Sequence, residues 1–282
     1  MPAEAKRPEW YQKDVQSINA EARRLLENYS GLAPEDVLPH VLSLREEAFD
    51  VYHYACIGQM RFLSFNLSRM PFWPRVLERL RADPLSGFLD AGCCFGQEVR
   101  FLADQGIASN QLFGCDLEQV FIDLGYRLFR DKSSLQATFV VGDLSADDIL
   151  FTDSEIVQKL NDKIDIVFAS SLFHMWDWDT QFKVATHLVK ICRQKSGIMI
   201  TGRQMGSVQG DHYKMAGMKD GAVHYRHDPE TMERFWGAIG EVTQTSWKVE
   251  AGLYWAEEVD QMKNMPWADD KIRMIWWCAT RQ

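Results

Sequence analysis

Three aspartates are spaced as one binding site would need them. Asp90 closes the apolar run Phe88-Leu89, Asp116 follows the run 111–115, and Asp143 follows the run 137–141 after a single glycine, Gly142. Each run reads as a short buried strand, so each carboxylate stands at a strand's carboxyl end, where open α/β sheets collect their ligands. A carboxylate there can accept hydrogen bonds from both hydroxyls of a ribose, and the usual acid lies roughly 20 residues beyond a glycine turn. Asp116 suits that role better than Glu118 because it is nearer the strand end. The turn lies within 87–96, Gly87-Phe88-Leu89-Asp90-Ala91-Gly92-Cys93-Cys94-Phe95-Gly96. Its glycines let backbone approach a ligand closely, and the free N–H groups of the helix that follows favour negative charge. The pattern is Asp-x-Gly-x-x-x-Gly. It is not the Gly-x-Gly-x-x-Gly of dinucleotide sites, and no Gly-Lys-Ser/Thr phosphate loop is present.

A second set of reactive side chains follows the fourth and fifth apolar runs. Ser170, Phe173, His174, Trp176 and Trp178 come after 164–169, and Arg203 after 197–201. His174 can take a proton from a phenol or donate a hydrogen bond to a carboxylate; a structural histidine is the competing reading. Trp176 and Trp178 are read as a pocket wall or as core. Arg203 presents a planar fork that matches a carboxylate, with a surface ion pair as its competing use. The histidines at 174, 212, 224 and 227 have no ligand spacing, so no metal is expected.

The elements that must position these groups alternate. Residues 1–85 read as helical: Val15, Ile18, Ala22, Leu25 and Leu26 form one stripe with Asn19 as N-cap, and Val41, Leu44, Ala48 and Tyr52 form another after Pro39. This part is expected to pack over the sheet, as a lid or substrate wall. From Gly87 onward, strand and helix signals take turns. Val99, Leu102, Ala103 and Gly106 mark one helix face, and Phe121, Leu124, Gly125 and Leu128 the next. Asp228-Pro229 opens a helix with face Met232, Phe235, Trp236 and Ile239, after an insertion over 207–228. The segments 247–255 and 272–278 alternate apolar with charged residues, as half-buried antiparallel strands do. Strands alternating with helices imply a parallel sheet with right-handed crossovers.

Composition narrows the function. The chain has 282 residues, 46% hydrophobic, with net charge −9. That charge argues against nucleic-acid backbone binding, which needs a basic footprint. No run of about 18 apolar residues predicts a membrane span, and the polar start at residues 1–7 lacks a secretory signal. The six cysteines form no Cys-x-x-Cys pair and read as reduced cytoplasmic thiols.

The turn at 87–96 resembles motif I of the class I S-adenosylmethionine (SAM) methyltransferases, with Cys94 in place of the middle glycine. The resemblance implies a seven-stranded Rossmann-like α/β sheet over 86–282, last strand antiparallel, preceded by the helical extension 1–85. It also implies SAM as cofactor. Asp90 and Gly92 would then lie by its methionine part, Asp116 and Leu117 at ribose and adenine, Asp143 and Leu144 at the adenine edge, with Cys93, Gly96 and Ser170 completing the site. Groups after the fourth strand, Ser170, Phe173 and His174, would face the methyl group.

Several strings narrow this further: 10–14 (Trp-Tyr-Gln-Lys-Asp), 26–30 (Leu-Glu-Asn-Tyr-Ser), 56–63 (Cys-Ile-Gly-Gln-Met-Arg-Phe-Leu), 89–97, 113–118 (Phe-Gly-Cys-Asp-Leu-Glu) and 202–204 (Gly-Arg-Gln). Together they are similar to the fungal methyltransferases of polyketide–terpenoid (meroterpenoid) pathways. That resemblance implies methyl-ester formation on the carboxylate of a small aromatic acid in a pocket rich in tryptophan. Tyr11, Arg61, Trp176 and Arg203 are then the substrate contacts, and His174 and Arg203 the catalytic candidates. Phenol O-methylation with His174 as base, and a non-catalytic partner protein of the same fold, are the alternatives. A homodimer is one assembly such a chain can form.

Overall fold

A computed structural model describes residues 7–214, 222–262 and 268–282. Residues 1–6 of the polar amino-terminal stretch and 215–221 of the 207–228 insertion lie outside the described residues.

The chain begins with four helices: α1 (Ala20–Asn28), α2 (Val37–Val51), α3 (Ala55–Gly58) and α4 (Trp73–Ala82). Asn19 starts α1 as expected. Its Oδ1 accepts the Ala22 N–H at 2.8 Å, while its Nδ2 donates to the Leu63 carbonyl at 2.9 Å. Then come β1 (Phe88–Ala91), α5 (Gln97–Asp104), β2 (Leu112–Asp116), α6 (Gln119–Phe129), β3 (Thr138–Val141), α7 (Asp148–Thr152), α8 (Glu155–Leu160), β4 (Ile166–Ser170), α9 (Trp178–Ile191) and β5 (Met199–Ser207). A hairpin of β6 (Asp211–Lys214) and β7 (Val223–Arg226) leads to α10 (Pro229–Thr243), β8 (Trp247–Tyr254), α11 (Glu257–Met262) and β9 (Ile272–Arg281).

Seven strands form one sheet in the order β3-β2-β1-β4-β5-β9-β8. β1 to β5 are parallel, and β9 runs antiparallel between β5 and β8. The expected seven-stranded α/β sheet with its antiparallel last strand is therefore present. Side-chain alternation splits the core in two. Leu89, Val167 and Ile200 face α9 and α10, with Val184, Leu188, Phe235 and Trp236. Phe88, Ile166, Phe168 and Met199 face α4 and α5, with Val76, Leu80, Val99 and Leu102. A third cluster joins α1 and α2 to α5 and α6 through Leu25, Val41, Phe49, Phe101, Phe121 and Leu128. The helical extension is thereby bound to the two helices that follow the first two strands.

Two expectations need correction. β5 does not stop at Thr201; it continues to Ser207 because β9 lies alongside it as far as Ile272. Arg203 is thus a mid-strand residue, 4% exposed, rather than a residue beyond a strand end. The described tryptophans do not build the pocket: Trp236 and Trp277 are fully buried in the sheet–helix core, with Trp176, Trp178 and Trp247 packed against it.

Candidate functional site

The carboxyl ends of β1, β4 and β5 meet residues 54–66 around a cavity of about 230 Å³. Asp90, Gly92, Ser170, His174, Arg61 and Arg203, all singled out from sequence, line it together. Arg61 and Arg203 also line a neighbouring cavity of about 600 Å³, with Asn19, Gln59, Asn66 and Glu258 among its other walls.

The loop between β1 and α5 takes a left-handed backbone at Gly92 (φ +74°), Cys94 (φ +50°) and Gly96 (φ +65°). The backbone conformation at Gly92 favours glycine, and a Cβ there would push on the end of the Leu172 side chain at 2.9 Å. The loop is bonded to β2: Gly92 N and Cys93 N both donate to the Cys115 carbonyl at 2.9 Å, and Cys94 N donates to Asp116 Oδ2 at 2.7 Å. Asp116 Oδ1 accepts the Glu118 N–H at 3.1 Å. Asp116 is thus held by the backbone around it and lines neither cavity.

Asp90 is 2% exposed, and its Oδ2 has no hydrogen-bond partner. Burial raises its pKa well above the usual carboxylate range, with Glu98 and Asp116 adding to the effect. Glu98 is also buried. Its Oε1 accepts the N–H groups of Asn66 (2.6 Å) and Leu67 (3.2 Å), its Oε2 has no partner, and burial lifts its pKa to about 7 against those two bonds.

On the other wall, each of the three guanidinium nitrogens of Arg203 is engaged. Nε donates to Tyr254 Oη at 3.0 Å, Nη2 to Glu258 Oε1 at 2.7 Å and Nη1 to Ser171 Oγ at 3.4 Å. Burial alone would lower its pKa, but Tyr254 and Glu258 more than offset that. Arg61 differs. It donates through Nη2 to Gln261 at 3.2 Å, while its Nε is sealed from solvent without a partner. Burial lowers its pKa, with Arg203 adding to that and Glu258 opposing it. His174 Nδ1 is likewise sealed and unpartnered. Burial, with the nearby His224, Arg203, Arg61 and Arg226, pushes its pKa down to about 3, so the ring is neutral at physiological pH.

Several expected residues stand elsewhere. The Tyr11 side chain is buried in the amino-terminal core, where its hydroxyl donates to Glu46 and its ring packs edge-on against Phe49; it lines neither cavity. Trp176 packs on the core. Cys93 is buried behind the loop against Gly114. Leu144 faces the core, while its carbonyl lies 2.9 Å from His187 Nδ1. Asp143 is exposed and accepts the Ser145 N–H and Oγ–H, both at 2.7 Å, beside the paired ends of β2 and β3. Leu117 is 57% exposed. Sequence reading missed Glu98, Asn66, Tyr54 and Glu258. A glutamate in the first turn of an amphipathic helix reads as solvent-facing, and the other three carry no local signal.

The strand order and the glycine loop at the end of its first strand are those of the class I SAM-dependent methyltransferase fold. Residues 10–63 match the family profile described as Meroterpenoid methyltransferase N-terminal domain, and residues 88–195 the one described as Methyltransferase domain. The chain is 39% identical over 244 residues to the O-methyltransferase atr3 of Stereocaulon alpinum, covering 86% of this chain and 68% of that one. It is 37% identical over 241 residues to the O-methyltransferase phiE of Fungal sp. (strain ATCC 74256), covering 85% and 78%. In fold it is similar to the Burkholderia thailandensis 1,6-didemethyltoxoflavin-N1-methyltransferase, solved with 1,6-didemethyltoxoflavin and S-adenosylhomocysteine: TM-score 0.51, 14% identity, 89% and 91% of the two chains. The chain belongs to the same family of SAM-dependent methyltransferases as these two O-methyltransferases. The residues present suit that cofactor: Asp90 lines the cavity with a buried carboxyl oxygen that has no partner, and the ammonium of SAM is a donor that could supply one.

Proposed function

We propose that this enzyme is an O-methyltransferase of secondary metabolism that forms a methyl ester on the carboxylate of a small aromatic acid. The observation that carries the reading is Arg61, a desolvated guanidinium with an unpartnered Nε, at the junction of the two cavities. An unpaired buried donor costs free energy that an incoming carboxylate would recover. Arg203 is held by Glu258 and Tyr254, so it contributes charge and orientation more than a free fork.

The cofactor supplies an electrophilic methyl group when bound. In this reading Asp90 holds its ammonium end and Asp116 its ribose, while Leu117 and Asp143 flank the adenine. Residues 1–85 act as an extension that walls the acceptor side through Tyr54, Arg61 and Asn66. A carboxylate is ionised at neutral pH and needs no base. His174 then serves as a neutral contact to the acceptor. A phenol reading gains from the unpartnered Nδ1 of His174. It loses more from the histidine pKa of about 3. Proton transfer from a phenol of pKa about 10 would be uphill by roughly 10 kcal/mol. The six free thiols suit a reducing cytoplasm.

The test is a methyl-labelled product. Mild alkali should release the label as methanol from an ester; a label that survives, as in an aryl ether, overturns the reading. Arg61→Met should raise KM for the acid by about tenfold or more, the scale of a lost charged hydrogen bond. Kd for SAM, measured by calorimetry, should not move.

A further inference from the structure

Arg100, on α5, is fully buried and lines neither cavity. Its Nη1 donates to the carbonyls of Phe95 (3.0 Å) and Gly96 (3.4 Å), the two residues that carry the glycine loop into the helix. Its Nε and Nη2 form a two-pronged pair with Asp131, at 2.9 and 3.0 Å. Asp131 Oδ2 also accepts the hydroxyl of Tyr29, just past α1, at 2.9 Å. The rings of Tyr126, Phe129 and Phe139 surround the guanidinium at 4.7–5.2 Å.

A buried ion pair inside an aromatic cage is a poor device for stability alone, because apolar side chains of similar volume usually pack there as well or better. What apolar side chains cannot do is hold two carbonyls. The loop needs holding. Of its three left-handed residues, Cys94 is the one with a Cβ, and left-handed backbone is disfavoured for such a residue. Cys94 is gripped on one side, where Asp116 takes its N–H. The carbonyl of the next residue, Phe95, is gripped on the other side by Arg100. Gly125 of α6 closes on that same carbonyl, so closely that a Cβ there would collide with it.

We infer that Arg100, fixed by Asp131 and Tyr29, is a positioning residue for cofactor binding: it clamps the loop in the conformation that presents Gly92 and Cys94 to the cavity. It touches no reacting atom. Its contribution is to the affinity for SAM and for the demethylated product alike, and not to the acceptor.

The test replaces the whole polar unit, since a single replacement would strand a buried charge. The Arg100→Met/Asp131→Leu/Tyr29→Phe variant should fold, with its Tm lowered by no more than the two lost loop bonds explain. Its Kd for SAM and for S-adenosylhomocysteine should rise about tenfold, the cost of one or two lost loop bonds. KM for the acceptor and kcat at saturating SAM should hold. Adding Cys94→Gly, which removes the backbone penalty, should recover about threefold or more of the lost affinity. A folded variant with parental SAM affinity overturns the proposal, and so does a parallel rise in acceptor KM, which would mean general loosening. If the triple variant does not fold, Tyr29→Phe alone should weaken SAM about two- to threefold through the slackened Asp131; an unchanged Kd there is equally fatal.

Discussion

Asp90 and Glu98 are buried carboxyls, each with one oxygen lacking a partner, and each acquires a raised pKa from burial. For Glu98 the folded value is about 7 against a reference of 4.5. A raised carboxyl stabilises the fold below its unfolded pKa and loses that contribution as pH rises through its folded one. Glu98→Gln should therefore raise the unfolding free energy at pH 8 by up to ~3 kcal/mol and leave it nearly unchanged at pH 4.5, as read from urea midpoints. The buried histidines act with the opposite sign. Burial pushes His174 and His227 down to about 3 and His224 to about 4. Their contribution is present above the unfolded pKa of about 6.5 and lost as pH falls below it. At this scale the sequence revealed which residue types stand at strand ends, and Asp90, Gly92, Ser170 and His174 do share a cavity. It could not reveal partnership. Arg61 and Arg203 look alike in sequence, and only the packing shows that Glu258 engages Arg203 while Arg61 Nε has no partner.

At the scale of elements, helix starts were legible because their signals are local. Asp228-Pro229 opens α10 with a complete capping box: Asp228 Oδ1 accepts the Thr231 N–H at 2.7 Å, and the Thr231 hydroxyl accepts the Asp228 N–H at 2.9 Å. Asp228 Oδ2 also accepts the Gly210 N–H at 2.8 Å, tying the hairpin entry to the helix. Asp228→Ala should cost about 1–2 kcal/mol in urea unfolding with an unchanged m-value. Strand ends were less legible. β5 extends past Thr201 because its neighbour is β9, some 70 residues away in sequence, a register no local pattern encodes. The β6–β7 hairpin was missed because its residues are charged and aromatic without clean alternation. Of the four histidines noted from sequence, His224 finds a role in it. Arg226 Nε donates to His224 Nε2 at 3.0 Å, so the proton of that ring sits on Nδ1, 3.0 Å from the His174 carbonyl.

At the scale of the whole molecule, the parallel sheet was readable because its pattern of alternating elements admits few topologies. The destination of the tryptophans was not: an aromatic side chain fills a core and a pocket equally well. The same sheet has a kinetic consequence. Gly87, at the foot of β1, bonds Asp165, at the foot of β4, across 78 positions of chain, and the ligand crevice opens at the other end of that seam. Pairing across so long a span raises contact order and slows folding, and the crevice cannot close before that pairing is made. A nucleoside cofactor added to refolding protein should then leave the rate of recovery untouched. It should instead slow spontaneous opening in proportion to its occupancy, as stopped-flow fluorescence of the buried indoles would record. The methyl donor would be a keeper of the finished molecule and no midwife to it.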